Sequence, residues 1–290
     1  MRSHTLVLPA YNEAERLGPA LDELFAWLDG PARQVVPPLP EDIDILIVDD
    51  GSVDGTADLV RARPEFVLAG GLGRLSLLSV PHGGKGAAVR AGMLYASSDL
   101  LVFADADMAT PPDQLPRLLA GLDDHDVALG SRIQPDGSDM RASQPAYRRF
   151  LGGLFHVLAG AWAVGPVQDT QCGFKGFRRD VAHDLFARQR ITSIVFDVEL
   201  ICLARRRAYR LAVVPILWTD KRGSRMRPRL GLALRVAWDL FRTPLVHRRL
   251  RARVVEADPG CGAGPAARRR PPLDGHSWAS GQFSSSPRSC

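Results

Sequence analysis

The sequence predicts an α/β fold: a mostly parallel sheet flanked by helices, with C-terminal amphipathic helices. Three observations predict it. Apolar runs of strand length alternate with stretches of helical periodicity through about the first 130 residues. Polar clusters follow successive apolar runs, at the position where open parallel sheets bind ligands. The 290-residue composition is 46% hydrophobic, 24% charged and 7% aromatic, which suits one large α/β domain or two small ones. It excludes a collagen-like, wholly disordered or disulfide-stapled chain.

The elements follow in order. Thr5 to Pro9 is a short apolar strand ending in the loop Ala10-Tyr-Asn-Glu13. Ala14 to Leu28 carries Leu17, Leu21, Leu24, Phe25 and Leu28 at three-to-four spacing, an amphipathic helix. A Pro-rich connection, Val35 to Pro40, leads to the strand Ile43 to Val48, which ends at Asp49-Asp50-Gly51-Ser52. Ser52 or Asp54 is placed to cap a helix beginning near Gly55-Thr56. Leu75 to Val80 reads as a strand, Gly86 to Ala96 as a helix, and Leu100 to Ala104 as a strand. A helix over Pro112 to Leu122 and a strand over Val127 to Leu129 complete the alternating half. From Tyr147 the pattern changes to amphipathic helices, short loops and the strand Leu211 to Pro215. Leu230 to Val246 reads as a basic amphipathic helix, with Arg235, Asp239 and Arg242 on one face and Leu, Val, Trp and Phe on the other. From Glu256 the chain is rich in Pro, Gly, Ser and Arg without periodicity, a disordered tail. The expected organisation is therefore 1–220 as a catalytic domain, 221–255 as a basic docking segment and 256–290 as the tail.

The formal net charge of +5 hides an uneven distribution. Residues 1–220 hold 22 Lys/Arg against 28 Asp/Glu, whereas 221–253 hold 11 against the single Asp239. A segment this basic either meets a polyanion, such as an anionic membrane surface or phosphates, or is a solvated helix. Stacking aromatics are not interleaved with its arginines as a single-strand binder requires, so no nucleic acid is expected. The four cysteines lack zinc-ligand spacing, and Cys172 has no partnered His, so it reads as packed rather than nucleophilic. The N-terminus carries no signal-peptide pattern, and a cytoplasmic location is the default expectation. The most apolar stretch, Phe150 to Val167, contains His156 and several glycines and reads as a buried or interfacial helix rather than a transmembrane one.

Three clusters carry chemistry. Asp105-Ala-Asp107 follows a fully apolar strand. Two carboxylates so close repel each other, and a hard divalent cation, Mg2+ or Mn2+, relieves that repulsion and can hold a diphosphate leaving group. The same triplet also suits a solvated turn or helix cap. Asp49 to Thr56 is acidic at a strand end, and its carboxylates either accept hydrogen bonds from a nucleoside or cap a βα turn. His82-Gly-Gly-Lys-Gly86 is a glycine loop with one lysine, suited to phosphate through backbone N–H groups and Lys85, although P-loop spacing is absent. Asp197 and Glu199, on one predicted helix, supply a general base or form a salt bridge to an arginine or Lys175.

As a set, Pro9-Ala-Tyr-Asn-Glu13, Asp49 to Thr56, Gly84-Lys-Gly86 and Asp105-Ala-Asp107 resemble the family 2 glycosyltransferases, with their nucleotide-sugar-binding GT-A fold. Gly130-Ser-Arg132, Gln144 to Arg149, Asp169 to Lys175, Phe196 to Leu200 and Val214 to Trp218 resemble the dolichyl-phosphate β-glucosyltransferase-like branch, related to dolichyl-phosphate mannose synthase. The resemblance spans residues 5 to 245. In the mannose synthases a Gln two residues after the metal aspartates helps hold the cation; here that position is Ala109, which fits the glucosyltransferase branch better.

The resemblance implies the following roles. Pro9, Tyr11, Glu13 and Asp50 line the nucleotide pocket, Lys85 approaches the nucleotide phosphates, and Asp105 and Asp107 hold the metal and diphosphate. Arg132 with Arg148 or Arg149 faces an acceptor phosphate. The donor implied is UDP-glucose, with GDP-mannose as competitor, and the acceptor is a polyprenyl phosphate reached at the cytoplasmic face of the membrane. A phosphate monoester is already ionised at neutral pH, so such an acceptor needs cationic positioning more than a base. Direct displacement at the anomeric carbon then inverts its configuration. The basic segment acquires the role of holding lipid headgroups through Arg222, Arg225, Arg227, Arg229, Arg248 and Arg249, with Trp238, Leu240 and Phe241 entering the interface. Gly223 to Arg227 is a further candidate, as a lid over the diphosphate.

Overall fold

The computed structural model describes residues 2–30, 43–66, 74–143, 146–167, 169–219, 221, 230–250 and 252. Seven strands alternate with helices: β1 His4–Ala10, α1 Ala14–Asp29, β2 Ile43–Asp49, α2 Thr56–Arg61, β3 Leu75–Ser79, α3 Lys85–Tyr95 and β4 Leu100–Phe103. A single 3₁₀ turn, Pro112–Gln114, then leads into α4 Leu115–Asp124, where the sequence predicts one continuous helix from Pro112. β5 Val127–Ser131, α5 Ala146–Ala159, β6 Lys175–Arg178, α6 Arg179–Arg188, α7 Phe196–Arg206, β7 Leu211–Pro215 and α8 Leu230–Val246 follow. One compact unit covers Met1–Arg253, so α8 folds with the body; Val254–Cys290 lies outside the described residues, as do the Pro-rich connection and 222–229.

The strands form one sheet in the order β3-β2-β1-β4-β6-β5-β7. β1 to β4 are mutually parallel and β5 pairs with β7 in parallel, as the alternating pattern predicts. β6 is antiparallel to both β4 and β5. It escapes a sequence reading because four residues containing a lysine and a glycine carry no strand period. Its reversal matters for the site. Lys175, the first residue of β6, stands opposite Phe103, the end of β4, and Leu129, in the middle of β5. The 169–174 loop is thereby delivered to the carboxyl edge, where the loops after β1, β2, β3 and β4 also lie.

Both faces of the sheet are covered. Val7, Val48, Leu101, Phe103 and Phe177 pack with Val89 of α3, Phe186 of α6 and Phe196 of α7 on one side. Leu6, Leu8, Ile45, Ile47 and Val102 pack with α1 and α4 on the other. Alternate residues of each central strand thus enter opposite cores, which is why these strands read as continuous apolar runs. Phe103 sits in an aromatic cluster, with ring centroids of Phe177, Phe196 and Phe186 at 6.1, 5.8 and 6.4 Å.

In the second half one reading is corrected, the interfacial placement of Leu240. The Phe150 to Val167 stretch is α5 followed by a π-helical turn, Gly160–Val164, and it leaves Val157, Leu158 and Trp162 exposed. In α8 the aromatic side chains face outward as expected, but the expected polar face is divided. Asp239 and Thr243, with His247 just beyond, point inward and are buried, as is Leu240. Leu234, Trp238, Phe241 and Leu245 point outward, at 44–64% exposure. Leu240 therefore belongs to the core and is not an interfacial side chain. Asp239 turns inward because it finds partners there, in Ser193 Oγ at 2.6 Å and Arg242 Nε at 2.9 Å. No helix among the described residues is long and apolar enough to cross a membrane.

Candidate active site

The loops after β1 and β2 fold as one unit. Asn12, in the left-handed region at φ 53°, donates its backbone N–H to Ser52 Oγ at 2.9 Å and accepts at Oδ1 from Val53 N at 2.9 Å. Glu13 N donates to Thr56 Oγ1, and Ala14 N to Asp54 Oδ2. Ser52 thus fastens the neighbouring loop instead of capping its own helix. Asp54 does both, because its Oδ1 also accepts from Thr56 N at 3.1 Å. Glu13 forms a bidentate pair with Arg16 of the next turn.

Asp50 is turned inward at 2% exposure. Its carboxylate accepts Gly83 N at 2.8 Å and Gly84 N at 2.9 Å, and His82 Nδ1, hydrogen-bonded to Asp50 O at 3.1 Å, lies 2.8 Å from it. This corrects two expectations together. Those two glycine N–H groups serve Asp50, not a phosphate, and Asp50 shapes the glycine loop rather than presenting its carboxylate to a nucleoside. Gly84 at φ 92° makes the turn possible. The arrangement stacks His82 on Tyr11, ring centroids 4.1 Å apart, with Tyr11 43% exposed and Pro9 half-buried at the end of β1. His82 was not singled out by its spacing; it lies 71 positions from Tyr11, and only the strand order joins them.

The loop after β4 holds Asp105 and Asp107. Lys85, at the start of α3, pairs with Asp105. Burial alone would lower the Lys85 pKa, but the carboxylates of Asp105, Asp197 and Asp107 outweigh it and hold the ammonium above its ordinary value. Asp107 accepts Ala109 N at 3.1 Å and lies 3.6 Å from Arg16 Nη1. Burial first, and then the charge of Asp105, pushes its carboxyl above the usual carboxylate range. Gly173 passes so close that a Cβ on it would overlap the Asp105 carboxylate. Gly173 enters the sequence reading only inside a longer motif; a glycine between buried Cys172 and Phe174 is the one local signal of close approach.

Arg132 is neither a surface arginine nor unpartnered. Its Nε and Nη2 form a bidentate pair with Asp169 at 2.7 and 2.8 Å, and its backbone N adds a bond at 3.0 Å. Its guanidinium lies 5.5 Å from the Trp218 ring centroid. The Asp169 pair raises the Arg132 pKa despite burial and holds Asp169 below its ordinary value. Arg148 and Arg149 lie on the first turn of α5, which is described by its backbone alone. Asp197 is buried against Lys175 Nζ at 2.5 Å, so the salt-bridge reading holds for it; burial still pushes its carboxyl up against the pull of Lys175 and Lys85. Glu199 is turned away on α7, accepting Arg190 N and Ile191 N at 2.8 Å each and pairing with His247 at 2.7 Å. Cys172 is packed as expected, and burial pushes its thiol up to about 12.

Chemically, the sheet edge gathers hard oxygen ligands, the Lys85 ammonium and the guanidinium groups of Arg16 and Arg132 around the end of β4. No group of three or more His, Cys, Asp or Glu arranged for a metal occurs among the described residues. Asp105 and Asp107 still fit a hard divalent cation. Such ions are held by one or two carboxylates together with substrate phosphates and water, and the charge of Asp105, second to burial in raising Asp107, is one that a cation offsets.

Comparison with known proteins agrees with this geometry. Residues 5–186 match the family Glycosyl transferase family 2. The dolichyl-phosphate beta-glucosyltransferase of Drosophila melanogaster is 36% identical over 245 residues, covering 82% of this chain and 73% of that protein. The Homo sapiens protein of the same name is 31% identical over 232 residues, covering 77% and 69%. Among solved structures, glucosyl-3-phosphoglycerate synthase from Mycobacterium tuberculosis in complex with UDP superposes with a TM-score of 0.58 at 20% identity, covering 86% of this chain and 80% of that one. The same enzyme with Mn2+, UDP-glucose and phosphoglyceric acid superposes at 0.59, covering 84% and 79%. These likenesses establish the layered GT-A architecture, and with the extent of the sequence match they place the chain in glycosyl transferase family 2.

Proposed function

We propose that this glycosyltransferase moves glucose from UDP-glucose to a polyprenyl phosphate of the dolichyl class, at a membrane surface and with inversion. The observation that carries it is the edge beyond β4, where the Asp105–Lys85 pair and Asp107 stand beside the Arg132–Asp169 pair. The names of the relatives, dolichyl-phosphate beta-glucosyltransferase, supply the donor class and acceptor. Tyr11 and Pro9 flank the base, with Asp50 and Glu13 shaping that pocket from behind. Lys85 neutralises charge on the departing diphosphate. Asp105 and Asp107 hold Mg2+ or Mn2+, which when bound neutralises the same leaving group.

The acceptor phosphate is positioned by Arg132, whose Nη1 lies outside the Asp169 pair, together with Arg148 and Arg149. An ionised phosphate attacks without a base. Asp197 and Glu199 therefore act as structural carboxylates, consistent with their burial against Lys175 and His247. The outward Leu234, Trp238, Phe241 and Leu245 of α8 join Trp162, whose ring stacks on Phe241 at 5.6 Å. Arg235, Arg242, Arg248 and Arg249 accompany this apolar face, a combination that suits an anionic leaflet on the cytoplasmic side. In this organisation 1–220 form the catalytic domain, 221–255 the docking segment and 256–290 a tail. The test is a donor screen with UDP-glucose, GDP-mannose and UDP-N-acetylhexosamines, each with a polyprenyl phosphate and with a soluble phosphorylated acceptor, products read by mass. Glucosyl transfer to the lipid alone is expected; transfer only to the soluble acceptor overturns the reading.

A further inference from the structure

The segment 189–193, between α6 and α7, lies beside the glycine loop, and each of its residues is hydrogen-bonded to one of two neighbours. On one side is the start of α3. Gly86 N donates to Thr192 O at 3.0 Å, and Gln189 Nε2 donates to Gly86 O at 2.9 Å. The two backbones touch, since a Cβ on Gly86 would stand 2.8 Å from Thr192 O. On the other side are α7 and α8. Arg190 N and Ile191 N donate to the two oxygens of Glu199, and Ser193 Oγ donates to Asp239 Oδ2 at 2.6 Å. His247 Nε2 completes the set by donating to Glu199 Oε1 at 2.7 Å.

Glu199, Asp239 and His247 are all buried. Apolar side chains would seat α8 at lower desolvation cost, so this network is an expensive way merely to pack a helix. What it supplies is direction. Each hydrogen bond fixes one residue of a segment whose far side grips the residue next to Lys85.

We propose that 189–193 is a strap that sets the position of Lys85, with Ser193, Glu199, Asp239 and His247 as positioning residues acting through Thr192 and Gly86. The strap runs from α8 to the ammonium that meets the diphosphate, so the outermost helix and the reaction centre share one hydrogen-bonded path. The inference rests on the reading of Lys85 as the leaving-group cation.

The test is a double-mutant cycle on the full chain. Ser193→Ala is expected to lower kcat about tenfold with the donor KM nearly unchanged, and Ser193→Thr, which keeps the hydroxyl, to restore it. In a Lys85→Met background the Ser193→Ala substitution is expected to change kcat by less than about twofold. Equal losses in both backgrounds overturn the proposal, because a purely structural defect does not depend on Lys85. Hydrogen exchange gives a readout independent of activity. Ser193→Ala is expected to speed exchange in a peptide covering 84–92 while leaving β1 unaltered, and unchanged exchange at 84–92 also overturns the strap. If the wild-type chain transfers no sugar to any acceptor, the functional reading fails by itself, and the exchange result decides the strap.

Discussion

Asp107 is held between opposing pulls: burial and Asp105 raise its pKa, while Ala109 N and Arg16 lower it, and the raising side prevails. A carboxyl whose folded pKa exceeds its unfolded value costs stability at neutral pH, and the cost disappears once the pH falls below both values. Asp107→Asn is therefore expected to raise Tm at neutral pH, by about 2–4 °C for each ~1 kcal/mol of repulsion relieved. The gain fades on acidification while sugar transfer is lost at every pH; calorimetry beside the transfer assay checks both. Gly173→Ala gives the complementary case. Its Cβ displaces the Asp105 carboxylate, so transfer is expected to fall about 100-fold with the circular dichroism unchanged. Wild-type activity in that variant would remove Asp105 from the site. Asp105, Asp107 and Lys85 were legible in the sequence because each lies within a few residues of a recognisable strand or helix end. Asp169 and Gly173 were visible only as parts of a motif, and their contacts with Arg132 and Asp105 were not, because these form only through the reversed strand β6.

β6 is also the element whose placement depends most on a single interaction. Lys175 is fully buried and joins β6 to α7 through Asp197 and to its own loop through the Cys172 carbonyl at 2.5 Å. Removing one partner of a buried ion pair leaves an uncompensated charge, which costs about 3–5 kcal/mol. Lys175→Met is expected to lose that much at neutral pH, seen as a lower urea midpoint. The sign of its pH dependence follows from Asp197. Its carboxyl is already pushed up and rises further without the lysine, so the deficit narrows as the pH falls and Asp197 takes up a proton. A deficit that does not change between pH 7 and about pH 5 would assign the loss to packing alone. The parallel strands were readable because their apolar runs are continuous, while β6 was not, because four residues with Lys and Gly are too short a pattern. The same contrast holds for α8: its periodicity and its outward aromatics were readable, but the inward turn of Asp239 and Leu240 was not.

The whole chain divides its charge between an acidic body and a basic C-terminal region, and α8 displays aromatic side chains outward beside that basic region. Vesicle co-sedimentation follows from the docking reading. The chain is expected to bind vesicles of anionic lipid and to release in high salt, with Trp238→Ser plus Phe241→Ser lowering partition at least about tenfold. Equal binding by that double variant would move the contact elsewhere. The sequence by itself determined the α/β class, the carboxyl-edge clustering of polar residues and the family, because strand period, helix period and short motifs are local properties of the chain. Only the tertiary structure decided the partners: Asp50 with the glycine loop, Arg132 with Asp169, Glu199 with His247, and Asp239 with Ser193. Those pairings join residues from 32 to 48 positions apart. A buried charge must find its counter-charge wherever strand order brings one, and the chain order does not contain that choice.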